Sequence, residues 1–100
     1  EPAESPLMSA GHSAPHLIQG IGANFVPAIV DKTAFDGIVT VKGEEAVAAV
    51  GTLFRDFGVK AGISSGAAVL AARALADKEG GKVLAILPDR ADRYPEELYK

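Results

Sequence analysis

A glycine- and serine-rich junction, Gly62-Ile63-Ser64-Ser65-Gly66, runs without a break into the alanine-rich stretch from Ala67 to Glu79. No other feature limits so strongly what this chain can fold into. The run Ala67-Ala68-Val69-Leu70-Ala71-Ala72 holds strong helix formers and no breaker. A helix is expected over Gly66 to Glu79, stopped by Gly80-Gly81. Apolar on nearly every side, with Arg73 and Asp77 marking a narrow strip for solvent, it is expected to be mostly buried, and its small residues suit close packing on a sheet. The junction gathers free backbone N–H groups and the positive end of the helix dipole, a common place for polar ligand atoms. Ser64 or Ser65 as a plain N-cap fits the same stretch, Gly62 to Val69.

The chain has 100 residues, 48% of them hydrophobic and 23% charged, in the range of one soluble globular domain. Its net charge is −3, and its ten Lys and Arg residues form no basic stripe, so no nucleic-acid partner is expected. Without cysteine there is no disulfide, thiol nucleophile or thiolate metal site, a composition that suits a reducing compartment. Cytoplasm is therefore the expected location. No stretch approaches the roughly 20 apolar residues that span a bilayer, so no membrane partner is expected. The first six residues lack the basic and apolar regions of a signal peptide, and a start at Glu1 reads as a piece of something longer.

Residues 1–16 carry Pro2, Pro6 and Pro15 and read as loop. His12 and His16 have the spacing of a helical metal site, but Pro15 opposes helix at Ala14, so no metal site is expected. In Gln19-Gly20-Ile21-Gly22, glycines two apart let the backbone pass close to a ligand or a neighbouring strand. A dinucleotide fingerprint would need a third glycine where Phe25 stands. Gly37 to Val41 reads as a strand and Glu44 to Phe57 as a helix with Val47, Val50, Phe54 and Phe57 on one face, ended by Gly58. Val59 to Ala61 reads as a very short strand. Val83-Leu84-Ala85-Ile86-Leu87 reads as a central strand of a parallel sheet, covered on both faces. Pro88 to Lys100 is expected to be loop with at most a short helix. The order implies an open, mostly parallel α/β sheet with flanking helices in a single unit over residues 1–100.

Ligands of such sheets bind outside the carboxyl ends of the strands. That rule puts Val41 to Gly43, Gly62 to Gly66 and Pro88 to Arg90 on one rim. The letters Gly-Ile-Ser-Ser-Gly also match a nucleophile elbow, but a hydrolase of that type needs a histidine late in the chain, and both histidines here precede the turn.

Four ordered blocks, Glu1-Pro2-Ala3-Glu4-Ser5-Pro6, His16 to Pro27, Gly62 to Ala68, and Leu87-Pro88-Asp89 with Arg93-Tyr94, resemble the C-terminal part of cysteine synthase, or O-acetylserine sulfhydrylase, a family related to cystathionine β-synthase. The resemblance implies part of a pyridoxal-phosphate enzyme of fold type II, like the tryptophan synthase β subunit. Its reaction would be β-replacement on an activated serine such as O-acetylserine, with sulfide as second substrate, in a homodimer. By the same resemblance Ser64 contacts the pyridine nitrogen of the cofactor. A neutral hydroxyl at a positive helix end disfavours a protonated ring, which suits elimination more than transamination.

The resemblance further implies that Gly20 lies near the cofactor ring, Gln19 near the substrate opening, and Pro88 and Asp89 on the ring-nitrogen side. Arg90 and Ala91 depart from the family, which has serine or threonine and then glycine at these two places. The Schiff-base lysine and phosphate loop of the family lie upstream of its matching blocks. None of Lys32, Lys42, Lys60, Lys78, Lys82 or Lys100 stands in that lysine's setting. No catalytic residue is therefore assigned here; the chain is expected to be inactive alone, supplying one wall of a site and exposing a sheet edge prone to self-association. The reading from a different class is a noncatalytic α/β binding or scaffold module that keeps the Ser64 turn.

Overall fold

Two long helices, packed against each other, organise the chain. The computed structural model describes residues 1–99, with Arg93 by its backbone only; Lys100, one of the lysines weighed above, lies outside the described residues. Helix α1 is one turn, Leu7–Ala10; α2 spans Gly43–Phe57 and α3 spans Ile63–Glu79, followed by 3-10 helices at Ala91–Arg93 and Glu96–Tyr99. No helix among the described residues is long and apolar enough to cross a membrane.

Helix α2 starts one residue before the expected Glu44 and buries Ala46, Val50 and Leu53. Glu44 and Glu45 stand in its first turn, where the dipole favours them. It ends at Gly58, whose φ of 69° is left-handed, the conformation glycine reaches without strain. Helix α3 crosses it closely at Gly66: a β-carbon there would stand 2.5 Å from the Ala46 carbonyl oxygen. Around that crossing Ile18, Val41, Ala46, Val50, Ile63, Ala67 and Tyr99 form the core. The Tyr99 hydroxyl donates to the Ala61 carbonyl at 2.7 Å, and its ring meets Phe54 edge-on at 6.1 Å.

One expectation is not shown, and two are corrected. The mostly parallel sheet is not shown: the described residues hold only two isolated bridges, a parallel one between Pro2 and Val41 and an antiparallel one between Ala61 and Arg90. Gly37 to Thr40 and Val83 to Leu87 form no ladder, and in the second run Leu84 is 89% and Ile86 73% exposed. An apolar strand is stable when neighbours pair its backbone and layers cover its faces; among the described residues none pairs this one, and its faces are covered only in part. Secondly, α3 is buried only from Ile63 to Ala67, because α2 and the core pack on that end. Its later residues are half-buried or exposed well beyond the Arg73 and Asp77 strip.

Thirdly, residues 1–16 are not all loop. Pro6 precedes the single turn α1, and Gly11 ends it at a φ of 83°. The Glu1 carboxylate accepts from the Met8 and Ser9 N–H groups at 3.0 and 2.9 Å. Proline is tolerated at the start of a helix, where no backbone donor is needed.

Candidate cofactor site

Helix α3 begins inside the serine junction, three residues before the expected Gly66. Its N-cap is Gly62, with φ −92° and ψ −172°, and no side chain of the junction caps it. The plain serine cap is thus not what the chain builds. The cap comes from Asp89: its Oδ2 accepts from the Ser64 N–H at 3.2 Å and its Oδ1 from the Ser65 N–H at 3.0 Å. The Ser65 hydroxyl also donates to Oδ1, and the Tyr94 hydroxyl donates to Oδ2 at 2.6 Å. These contacts satisfy donors that a helix start leaves without intrahelical partners.

Several local features bring Asp89 there. The Ala61–Arg90 bridge lines up the two segments, and the Gly62 N–H donates to the Asp89 carbonyl at 3.2 Å. Gly62 leaves the necessary room, since a β-carbon on it would fall 2.2 Å from Tyr94 Cε2 and 2.4 Å from Asp89 Cγ. The departures at Arg90 and Ala91 do not prevent the turn. Ala91 opens a 3-10 helix in which the Tyr94 N–H donates to the Ala91 carbonyl at 3.0 Å, and no non-glycine residue among those described has a positive φ.

Burial alone would raise the Asp89 carboxyl, but hydrogen bonds from Ser65, Tyr94 and Ser64 outweigh it and hold the group well below the usual carboxylate range. Burial, with the hydrogen bond to Asp89, pushes the Tyr94 phenol up to about 12. The carboxylate therefore stays charged on the helix end. This changes the electrostatic argument made for Ser64: the positive potential of the α3 N-terminus is offset by Asp89, and the neutrality of the hydroxyl remains.

Beside this cap lies a cavity of about 360 Å³ lined by Gln19, Gly20, Ile21, Ser64, Pro88, Asp89 and Tyr94. All five residues expected at the site, Gln19, Gly20, Ser64, Pro88 and Asp89, meet here. Gly20 has a φ of 94°, and a β-carbon on it would stand 4.0 Å from Ser64 Oγ, so the glycine keeps the space facing that hydroxyl open. His16 fixes the turn: its Nδ1 accepts from the Ile18 N–H at 3.1 Å, which leaves Nε2 to donate to the Gly22 carbonyl at 2.8 Å. Its role in the fold is thus to pin the Gly20 to Gly22 backbone.

Sequence reasoning did not find Ser65 or Tyr94 as parts of the site. The signal for Ser65 was its place beside Ser64 in the first helical turn. For Tyr94 it was a tyrosine five residues after Asp89, with a one-turn helix between them that bends the chain back.

No family model matches the chain. It is 48% identical over 95 residues to cysteine synthase B of Campylobacter jejuni and 40% identical over 97 residues to a cysteine synthase of Staphylococcus aureus, each alignment covering 94% of the chain. The chain spans 31% of the length of these relatives. The crystal structure of a cysteine synthase from Entamoeba histolytica superposes with a TM-score of 0.90 at 37% identity, over 99% of this chain and 30% of that one. The resemblance read from the motifs thus holds across nearly the whole chain, in sequence and in fold: the chain is similar to about a third of a cysteine synthase.

Proposed function

We propose that this segment forms one wall of the cofactor site of a pyridoxal-phosphate-dependent enzyme that makes cysteine from O-acetylserine, or a similarly activated serine, and sulfide. The observation that carries the reading is the single cavity gathering Gln19, Gly20, Ser64, Pro88 and Asp89. Its volume of about 360 Å³ lies in the range of small-molecule sites. The residues fit the group. Ser64 is 6% exposed and offers a neutral hydroxyl to a ring nitrogen, and Gly20 leaves the space opposite free. Asp89, the nearby anion, is already engaged by the N–H groups of Ser64 and Ser65 and the hydroxyls of Ser65 and Tyr94. It is therefore poorly placed to act as the charged partner of a protonated ring nitrogen.

Pyridoxal phosphate, when bound, supplies an electron sink for a carbanion at the substrate α carbon. Ser64 would hold the ring nitrogen without a neighbouring free carboxylate to protonate it, and so temper that sink. Gln19 would stand at the substrate opening. The same reading takes residues 1–100 as the C-terminal part of a fold type II enzyme with a parallel sheet, homodimeric and cytoplasmic, whose Schiff-base lysine and phosphate loop come from outside this segment.

The test is cysteine formation by the full-length protein, supplied with pyridoxal phosphate, O-acetylserine and sulfide. Ser64→Ala is expected to keep the cofactor bound while slowing turnover about tenfold or more, as for a lost hydrogen bond to a reacting group. A wild-type protein that binds no pyridoxal phosphate, or a Ser64→Ala protein with unchanged rate and cofactor spectrum, would sink the respective claim.

A further inference from the structure

We propose that Tyr94 is a positioning residue of this site, acting on Ser64 through Asp89. The proposal rests on the cofactor reading above and adds to it a residue with a defined means of action. Tyr94 lines the same cavity as Ser64 and donates to Asp89 Oδ2 at 2.6 Å, the oxygen that also accepts from the Ser64 N–H at 3.2 Å. One carboxylate oxygen thus joins the phenol to the backbone of the cofactor-facing serine. The other oxygen is held by Ser65, which also accepts from the Asp89 N–H at 3.3 Å through its hydroxyl.

Without the phenol, Oδ2 loses its shortest contact, and the carboxylate, still held at Oδ1 by Ser65, is braced on the Ser64 side only by the longer bond from the Ser64 N–H. The Ser64 N–H then rests on a less firmly fixed acceptor, and the first turn of α3, which sets where Ser64 Oγ stands, is held more loosely. Gly62 is part of the same device, because any side chain on it would occupy the space of the Tyr94 ring and the Asp89 carboxyl.

The experiment measures pyridoxal phosphate affinity and the absorption maximum of the bound cofactor in the full-length protein and in Tyr94→Phe, Asp89→Ala and the double variant. Tyr94→Phe is expected to weaken cofactor binding about tenfold, the effect of removing a hydrogen bond to a charged group, and to shift the maximum. In the Asp89→Ala background the same change is expected to have little further effect, since its route of action is gone. Tyr99→Phe serves as the control: it loses a buried hydrogen bond to the Ala61 carbonyl and none to Asp89, and is expected to lower stability while leaving affinity and spectrum alone.

Equal losses of affinity in Tyr94→Phe and Tyr99→Phe would reduce the effect to general destabilisation and overturn the proposal. So would wild-type affinity and spectrum in Tyr94→Phe, a result that leaves the cofactor reading standing. Absence of cofactor binding by the wild-type protein removes both. Should Asp89→Ala fail to fold, the comparison of Tyr94→Phe with Tyr99→Phe decides alone.

Discussion

Helices α2 and α3 start in the same way and end up with different capacities. Each lacks a side-chain cap from its own N-cap residue, and each takes a carboxylate from a distant part of the chain. For α2 this is Glu4, whose Oε1 accepts from the Gly43 N–H at 2.5 Å; for α3 it is Asp89. At α2 the arrangement is one carboxylate oxygen on one donor, from an exposed glutamate. At α3 both oxygens are engaged, a tyrosine braces one of them, and the residue just inside the cap is a serine on a cavity. A cap that only satisfies N–H groups stabilises a helix; one braced on its far side also fixes what the first turn presents.

The comparison breaks most readily at the glycines. Gly62→Ala is expected to destabilise the protein by about 3 kcal/mol, at the upper end of ordinary overpacking, because the new carbon meets Asp89 and Tyr94 at 2.4 and 2.2 Å. Gly43→Ala should cost less, about 1–2 kcal/mol: the Glu4 Oε1 at 2.8 Å belongs to a flexible side chain that can retreat, and Leu17 Cβ at 3.1 Å needs to give by only a few tenths of an ångström. Thermal or denaturant unfolding of the two variants checks the order.

Removing the carboxylates comes next. Asp89→Ala leaves two helix donors and the Tyr94 hydroxyl without their acceptor, while the Ser65 hydroxyl keeps the residue 89 carbonyl at 3.2 Å, and is expected to cost about 2 kcal/mol, against about 1 kcal/mol or less for Glu4→Ala. Equal losses measured by denaturant titration would remove the distinction drawn between the two helix starts.

The Asp89 carboxyl is also the means of separating them by pH. Its folded pKa lies below the ordinary 3.8, so its contribution to stability is complete above that value and is lost as the pH falls further. Unfolding curves from pH 5 downward are expected to show a decline that is shallower in Asp89→Ala. A decline of the same slope in both proteins would assign acid sensitivity elsewhere. The smallest effect is expected at Ser64→Ala, within about 0.5 kcal/mol in stability, because Asp89 binds its backbone N–H and that bond survives the substitution.

Much of the site was legible from residue types. The glycine and serine junction announced a helix start with a polar group on it, and Gln19, Gly20, Pro88 and Asp89 came from their places in ordered blocks. The helices were legible because apolar spacing and terminal glycines are local signals: Gly58 and Gly80 stop α2 and α3 where expected. Pairing of strands is not local. Val83 to Leu87 has the composition of a covered strand, yet composition carries no information on which segment pairs with it, and Leu84 and Ile86 stand exposed. Nor could spacing alone show that Asp89 caps a helix begun at residue 63, since that contact depends on the Ala61–Arg90 bridge and on a tyrosine folded back by one 3-10 turn.

The position of the two caps along the chain also bears on how the protein folds as it is made. Glu4 precedes α2, so its carboxylate already exists when that helix emerges during synthesis. Asp89 follows α3, so that helix must form, or wait, with its first N–H groups uncapped until the Pro88 to Tyr94 turn has been added. Closing that loop carries the entropy of the intervening residues. The serine turn is therefore among the later parts of this segment to reach its final geometry, and a pause in translation just before Asp89 would lengthen the time it spends open.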